Sequence, residues 1–200
     1  FKQKTAYEIP LRLVGSEMCI RDRPIAAPSA NLSERTSVTN IMDIDPILVK
    51  KIFVLKDKQS SHGLESTVVR IDTNNEIEVL RYGSITVEEL IKYAKVKIKK
   101  KSSISPGNLK KHYSTLKPIR MNAKRILKNE GLLNFGNNKL RSKIINLNLS
   151  NKKNLNEAAK NFYHYLHKLD QSRCKKIAVV KIPNKGLGKT INDRLRRAIK

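Results

Sequence analysis

The sequence predicts an α/β protein of two units joined by a linker, and three observations predict it. Glu65 to Arg81 reads as strand, turn and strand. Lys97 to Pro118 holds a lysine run, three serines, Pro106-Gly107 and Pro118 with little apolar content, as a linker does. Beyond it, strand, helix, strand and helix alternate, the order of a small parallel α/β domain. The boundaries that follow are residues 24–96, 97–118 and 119–200, with no internal repeat.

Within the first unit, Ile25 to Ala27 is a short apolar stretch that runs into the turn-forming Pro28-Ser29-Ala30-Asn31. Asp45-Pro46 is a helix start, a capping carboxylate followed by proline at the first helical position. Ile52 to Leu55 is a short β-type run. Glu65 to Ile71 is a strand rich in Thr and Val, Thr73-Asn74-Asn75 supplies the turn, and Ile77 to Arg81 is the partner strand. Tyr82-Gly83 ends it. Thr86 and Glu89 then have the spacing of a capping box.

In the second unit, Ile144 to Leu149 alternates apolar and polar residues as a half-buried strand does. Asn154 caps a helix whose stripe is Leu155, Ala158, Ala159, Phe162, Leu166 and Leu169. Ile177 to Ile182 is a strand stopped by Pro183, and Ile191, Leu195, Ala198 and Ile199 mark a final helix.

Composition narrows the function classes. The 200 residues carry 42 Lys and Arg against 17 Asp and Glu, a net charge of +25. Such a surface attracts polyanions such as nucleic acid or nucleotide phosphates. A coding bias toward Lys, Asn and Ile gives the same excess without any binding role. Two cysteines, Cys19 and Cys174, make neither a disulfide framework nor a zinc cluster, and a reducing cytoplasmic setting is the simplest home. No apolar run approaches the roughly 20 residues of a membrane span, so no membrane partner is expected.

Three motifs have both a functional and a plain reading. Gly186-Leu187-Gly188-Lys189-Thr190 follows a strand and opens a helix like a P-loop, but the pattern's first glycine falls on Pro183. Proline offers no N–H to a phosphate, so a tight strand-to-helix turn is the better explanation. His164 and His167 have a spacing that permits a shared metal, yet no Cys or carboxylate constellation supports one, and helix-surface histidines are the plainer reading. Arg194, Arg196 and Arg197 could bind phosphate or RNA, but they also complement a helix C-terminus.

Three other stretches offer the chemistry of a nucleotide and small polar substrate site. Pro28-Ser29-Ala30-Asn31-Leu32-Ser33 gathers hydroxyl and amide groups on one turn. Gly63-Leu64-Glu65-Ser66-Thr67-Val68-Val69 brings more to a strand start. Ser105-Pro106-Gly107 with Lys110, Lys111, His112 and Tyr113 puts cations and an aromatic on a flexible cover.

In this order, PIAAPSANLS, GLESTVV, the Leu80-Arg81-Tyr82-Gly83 turn, SPGNLKKHYS and GLGKTINDRLRRA resemble the threonylcarbamoyl-adenylate synthase family. The resemblance covers Pro24 to Lys200. It implies the C-terminal part of a YrdC-like twisted-sheet domain, the linker, and a small Rossmann-like domain. It also implies condensation of L-threonine, bicarbonate and ATP, with Mg²⁺, into threonylcarbamoyl-AMP and pyrophosphate. A downstream tRNA threonylcarbamoyl transferase would use the product. By motif position Ser29 and Ser66 would contact threonine, and Asn31, Thr39, Arg81, His112 and Tyr113 would contact ATP. No metal ligand and no catalytic residue is assigned.

The sequence departs from the family pattern at Glu34, Asp57-Lys58, Tyr82, Asn108 and Thr115. Residues 1–23 resemble sequencing-adapter readthrough and are expected to be unstructured. The family's basic ATP-binding motif has no counterpart there, so this chain is expected to have little activity alone. The rival reading is a non-catalytic basic module that binds double-stranded or transfer RNA, resting on charge alone. An aromatic-interleaved RNA-binding pattern, which would favour it, is missing.

Overall fold

The computed structural model describes residues 30–32, 35–52, 54, 60–98 and 113–199. Residues 1–29, with Ser29, and 99–112, with His112 and the SPG motif, lie outside the described residues, as do positions 57 and 58.

The first unit opens with a 3-10 turn, Ile41–Asp43, capped by the Asn40 side chain, and the short helix α1, Pro46–Val49. Asp45 caps α1 by accepting from the Ile47 N–H at 2.8 Å, with Pro46 in the first turn, as the sequence predicts. Ile52 and Val54 belong to no strand, so the β-type run expected there does not form at those positions.

Strands β1, Val68–Ile71, and β2, Ile77–Arg81, form an antiparallel pair. Asn75 takes the left-handed conformation, φ 57°, in the turn between them, which asparagine tolerates well. Helix α2, Val87–Leu90, carries the full capping box: Thr86 and Glu89 bond each other's backbone N–H. Strand β3, Val96–Ile98, then pairs with β2 in parallel. Lys97 and Ile98, expected in the linker, are therefore part of the sheet. Ion pairs from Lys95 and Lys97 to Glu76 fasten this edge.

The second unit is a four-stranded all-parallel sheet in the order β4-β7-β5-β6. The strands are β4, Ile119–Arg120; β5, Glu130–Asn134; β6, Asn146–Asn148; and β7, Lys176–Val179. Helices α3, Leu155–Gln171, and α4, Leu187–Ala198, pack against each other, and α3 also packs on β5. Sequence patterning finds β6, β7 and both helices but assigns no element to β4 or β5. All five residues of β5 are buried, so it has no alternation to read. The Glu130 carboxylate at its start is accommodated by Arg120, whose Nε and Nη2 both donate to it, and by the Leu127 N–H. Those bonds from Arg120 hold the Glu130 carboxyl below the usual carboxylate range.

The predicted stripe on α3 forms the core. Ala158, Ala159, Phe162, Leu166 and Leu169 are buried, joined by Tyr163, while Leu155 is half-buried. Leu64 of the first unit and Tyr113 belong to the same apolar cluster. The two units therefore share a core rather than merely touching.

Their joint is polar as well as apolar. Gly63, at φ +66°, lies against α3 so closely that a Cβ would sit 2.3 Å from the Ala159 carbonyl oxygen. Only glycine fits both that dihedral and that approach. His164 Nδ1 lies 2.8 Å from the buried Asp43 carboxylate, and His167 Nε2 lies 3.1 Å from Thr36 Oγ1 and 3.2 Å from the Ser37 carbonyl. These histidines are interface residues, not surface ones. Their ring nitrogens face separate partners on the first unit rather than one another. The reason is that the first unit lies along this side of α3.

Deepest in the joint, Arg194 of α4, with a fully buried side chain, donates from Nε to Glu65 Oε2 at 3.0 Å. Tyr163 Oη donates to Glu65 Oε1 at 2.6 Å, and the Ser37 hydroxyl donates to the same oxygen. Burial pushes the Glu65 carboxyl up, but the Arg194 guanidinium and these hydroxyls outweigh it and hold the group below the usual carboxylate range. Desolvation works against the Arg194 charge, and the Glu65 carboxylate beside it holds the guanidinium protonated.

Three stability outcomes follow. Gly63→Ala should destabilise the chain by about 2–3 kcal/mol in urea unfolding, because backbone must move to admit the methyl group. Leu166→Ala, at a position 1% exposed, should cost about 2–5 kcal/mol by the same measurement. Glu65 has a folded-state pKa below its unfolded one. Its stabilisation is therefore present above the ordinary carboxylate pKa of about 4.3 and is lost as the pH falls through the lower folded value. Glu65→Gln should flatten that acid limb in unfolding curves taken from about pH 7 down to about pH 3.

Candidate functional site

The site builds outward from the strand start at 65–67 and the turn at 82–84. The Ser84 N–H donates to the Glu65 carbonyl at 2.8 Å, and Thr67 Oγ1 accepts from the Ile85 N–H at 3.0 Å while donating to the Ile85 carbonyl at 2.6 Å. Gly83 presses on the same stretch: a Cβ there would lie 2.2 Å from the Thr67 nitrogen. The sequence Leu80-Arg81-Tyr82-Gly83 thus needs its glycine because the turn stacks directly on the GLEST backbone.

This stacking brings Arg81 onto Ser66. One guanidinium nitrogen, Nη2, donates to the Ser66 carbonyl at 3.1 Å and to the Ser66 hydroxyl at 3.2 Å. Two residues separated by fifteen positions, singled out from sequence for different ligands, are in direct contact.

Tyr113 lies close by. Its phenol is pushed up by burial, and the Arg194, Arg81 and Arg197 charges act on it in the opposite sense. The expectation of a flexible cover does not hold for this residue. Tyr113 is 2% exposed, its ring lies 4.6 Å from the Arg194 guanidinium carbon and 6.1 Å from the Tyr163 ring, and its φ is +64°. The cation over the ring face and the shared core fix it in place.

Asn31 and Thr39 approach from the chain's start. Asn31 Nδ2 donates to the Leu32 and Arg35 carbonyls, and Arg35 forms a parallel bridge with Ser114, next to Tyr113. Thr39 follows two residues after Ser37, whose hydroxyl reaches Glu65. Asn31 Oδ1 and Thr39 Oγ1 are buried atoms without a hydrogen-bond partner among the described residues. Of the five residues Asn31, Thr39, Ser66, Arg81 and Tyr113, Ser66 and Arg81 touch each other, and Tyr113 lies against Arg194, which pairs with Glu65. A cavity of about 390 Å³ at the joint, bordered by Ser61, His62, Ser84 and Glu89, is lined by none of the five.

Sequence reasoning missed the residues that support this cluster: Glu65 itself, Ser37, Tyr163 and Arg194. Arg194 belongs neither to a phosphate patch nor to the helix terminus. It points into the joint, also donating from Nη2 to the Tyr82 carbonyl at 2.6 Å and from Nη1 to Asp193 at 2.7 Å. Of its companions, Arg196 is exposed and Arg197 pairs with Asp193 one turn away.

The P-loop-like turn holds protein groups instead of phosphate. Lys189 Nζ lies 2.8 Å from Glu88 Oε1, Thr190 Oγ1 donates to the Gly83 carbonyl at 2.9 Å, and the Gly188 and Lys189 N–H groups are bonded to Lys185 and Gly186 carbonyls. The Lys189 ammonium holds the Glu88 carboxyl below its ordinary range. The turn reading stands. Among the described residues no cluster of His, Cys, Asp and Glu could hold a metal ion, and no helix is long and apolar enough to cross a membrane.

Comparison with known proteins gives the family and the fold. The family described as "Telomere recombination" matches residues 2–83, a span that takes in residues 2–23 of the segment set aside above. The family described as "Threonylcarbamoyl-AMP synthase, C-terminal domain" matches residues 85–199, a span that includes β3 of the first sheet. Among solved structures, the chain is similar to P. abyssi Sua5 complexed with L-threonine, at 24% identity and a TM-score of 0.73 over 88% of this chain and 58% of that one. It is also similar to a P. abyssi Sua5 variant with a histidine and a tyrosine changed to alanine, at 23% identity and a TM-score of 0.66 over 88% of this chain and 55% of that one. The chain thus spans little more than half the length of these structures, and at such identities the likeness concerns the fold: a YrdC-like sheet unit followed by a Rossmann-like one. With more than half of its residues matched by the C-terminal domain that defines it, this chain belongs to the threonylcarbamoyl-AMP synthase family.

Proposed function

We propose that this chain carries part of the site of an L-threonylcarbamoyladenylate synthase, which joins ATP, L-threonine and bicarbonate into threonylcarbamoyl-AMP and pyrophosphate. The reading is carried by the Arg81–Ser66 contact at 3.2 Å, and two buried polar atoms elsewhere in the first unit, Asn31 Oδ1 and Thr39 Oγ1, are left without partners among the described residues. Buried polar atoms nearly always find partners, and a ligand's hydroxyls and amines would supply them. The family membership and the P. abyssi structure holding L-threonine support the same substrate class.

In this reading threonine, as its carbamate, attacks the α-phosphorus. An oxygen–phosphorus bond forms, the bond to the pyrophosphate oxygen breaks, and pyrophosphate leaves. Mg²⁺ enters with ATP as part of the substrate and shares the phosphate charge. The protein's task is alignment and charge stabilisation. Arg81 supplies a planar, permanently charged fork suited to phosphate oxygens. Ser66, with Ser29 on the neighbouring motif, orients threonine through hydroxyls that add no repulsive charge. Asn31 and Thr39 take the nucleotide's polar edges, and motif position assigns His112 and Tyr113 to the nucleotide as well. Transfer to tRNA would fall to a separate threonylcarbamoyl transferase, in a cytoplasmic setting. The RNA-module rival has only the charge excess behind it.

Titration with ATP and L-threonine, followed through the amide resonances of Ser66 and Arg81, tests the reading. Both ligands should shift those resonances, and silence at both residues would remove the proposal. Arg81→Ala should weaken ATP binding about 10- to 100-fold, since a charged hydrogen bond is worth about 1.5–3 kcal/mol. Any pyrophosphate release should require ATP, threonine and bicarbonate together. Release that ignores threonine would point to a plain nucleotidase instead.

A further inference from the structure

The second unit's last helix reaches the first unit's candidate site at successive points. Arg194 Nη2 donates to the Tyr82 carbonyl, Thr190 Oγ1 donates to the Gly83 carbonyl, and Arg194 Nε pairs with Glu65, the residue before Ser66. Tyr82 and Gly83 directly follow Arg81. Both backbone segments that form the Arg81–Ser66 contact are therefore held by α4. Thr190 is 2% exposed and Arg194 is fully buried, so these contacts are made out of water, where a hydrogen bond is harder to break. Neither residue is among those placed next to substrate.

We infer that Thr190 and Arg194 are positioning residues that fix the Arg81 guanidinium on Ser66, so that the C-terminal helix is a working part of the synthase site. The inference rests on the synthase reading for its functional meaning, but its geometry stands on the contacts alone.

The geometry explains why two contacts are used. A turn anchored at one carbonyl can still pivot about it. Anchors on two adjacent carbonyls, Tyr82 and Gly83, fix its rotation as well as its position. Arg81 leaves this turn as a long side chain, so a small rotation at its Cα displaces the guanidinium by more than an ångström. A misplacement of that size is enough to slow a reaction that depends on alignment. Glu65 completes the clamp from the other side, since its side chain is gripped by Arg194, Tyr163 and Ser37 while its own carbonyl accepts from Ser84.

The test uses the whole chain and three near-isosteric variants: Thr190→Val, Thr190→Ser and Arg194→Lys. The readouts are hydrogen exchange at the Arg81 Nη2–H, which bonds Ser66, and at the Ser84 amide, which bonds the Glu65 carbonyl, with β5 and β7 amides as a control for global stability. In Thr190→Val, exchange at the two site groups should rise about tenfold, the worth of one net hydrogen bond, while the β5 and β7 amides stay as they were. Thr190→Ser should restore protection. Arg194→Lys, which keeps the charge but loses the fork to Tyr82, should loosen the same groups. Equal loosening of site and control amides, or no change at the site in any variant that folds, overturns the inference. Should Arg194→Lys fail to fold, the Thr190 pair decides alone. Absence of ATP and threonine binding by the unaltered chain strikes the synthase reading, whereas the exchange result judges the clamp.

Discussion

Burying an arginine is costly, and much of this structure can be understood as the consequence of doing so. The Arg194 side chain has no contact with water, and its guanidinium is matched by Glu65, Asp193, the Tyr82 carbonyl and the face of Tyr113. A charge in that position tolerates no loss of partners, since an unpaired buried ion is penalised by several kcal/mol. Three of its four partners come from outside the helix that carries it. The two sheets therefore cannot part without stranding the charge, and the shared apolar cluster, with Leu64 and Tyr113 in it, acts in the same direction.

The same pair settles the electrostatics of the candidate site. Glu65 immediately precedes Ser66, and an uncompensated carboxylate there would repel a triphosphate. Arg194 cancels it at 3.0 Å, inside the protein where the interaction is weakly screened. Arg81 presents positive charge at the strand start and donates to the Ser66 carbonyl and hydroxyl. The arrangement separates two arginines by role. One is buried in the joint between the units, and the other lies against Ser66 at the strand start.

How far all this was legible in the sequence depends on the kind of signal. Local chemistry was readable: the Asp45-Pro46 start, the Thr86–Glu89 box, the Asn154 cap and the 65–81 hairpin all depend on residues within a few positions of each other. Strand β5 was not, because burial on every side removes periodicity and Gly131 and Glu130 depress β character. The contact between Ser66 and Arg81 was not readable from spacing, since the resemblance assigned the two residues to different ligands. Arg194 was readable in principle. The spacing 191, 194, 195, 198 places it on the apolar face of α4 with Ile191, Leu195 and Ala198, and a cation on such a stripe demands a buried anion. Tyr163 lies on the α3 stripe by the same arithmetic. What spacing could not supply was the identity of the anion, 129 positions away.

The P-loop-like segment shows why residue types without geometry mislead. Glycine, lysine and threonine at a helix start are the groups that hold phosphate, because they offer N–H donors, an ammonium and a hydroxyl. Here the ammonium takes Glu88, the hydroxyl takes the Gly83 carbonyl, and the Gly186 N–H faces Glu88 at 3.4 Å. A carboxylate and a carbonyl of the neighbouring unit occupy the positions that phosphate oxygens would fill. Helix α4 is 12 residues, about 18 Å long. Its start is held by Glu88, its first turn by Gly83, and its middle by Tyr82 and Glu65. A helix pinned at its start, its first turn and its middle transmits its orientation to the turn it holds, and what that turn follows is Arg81.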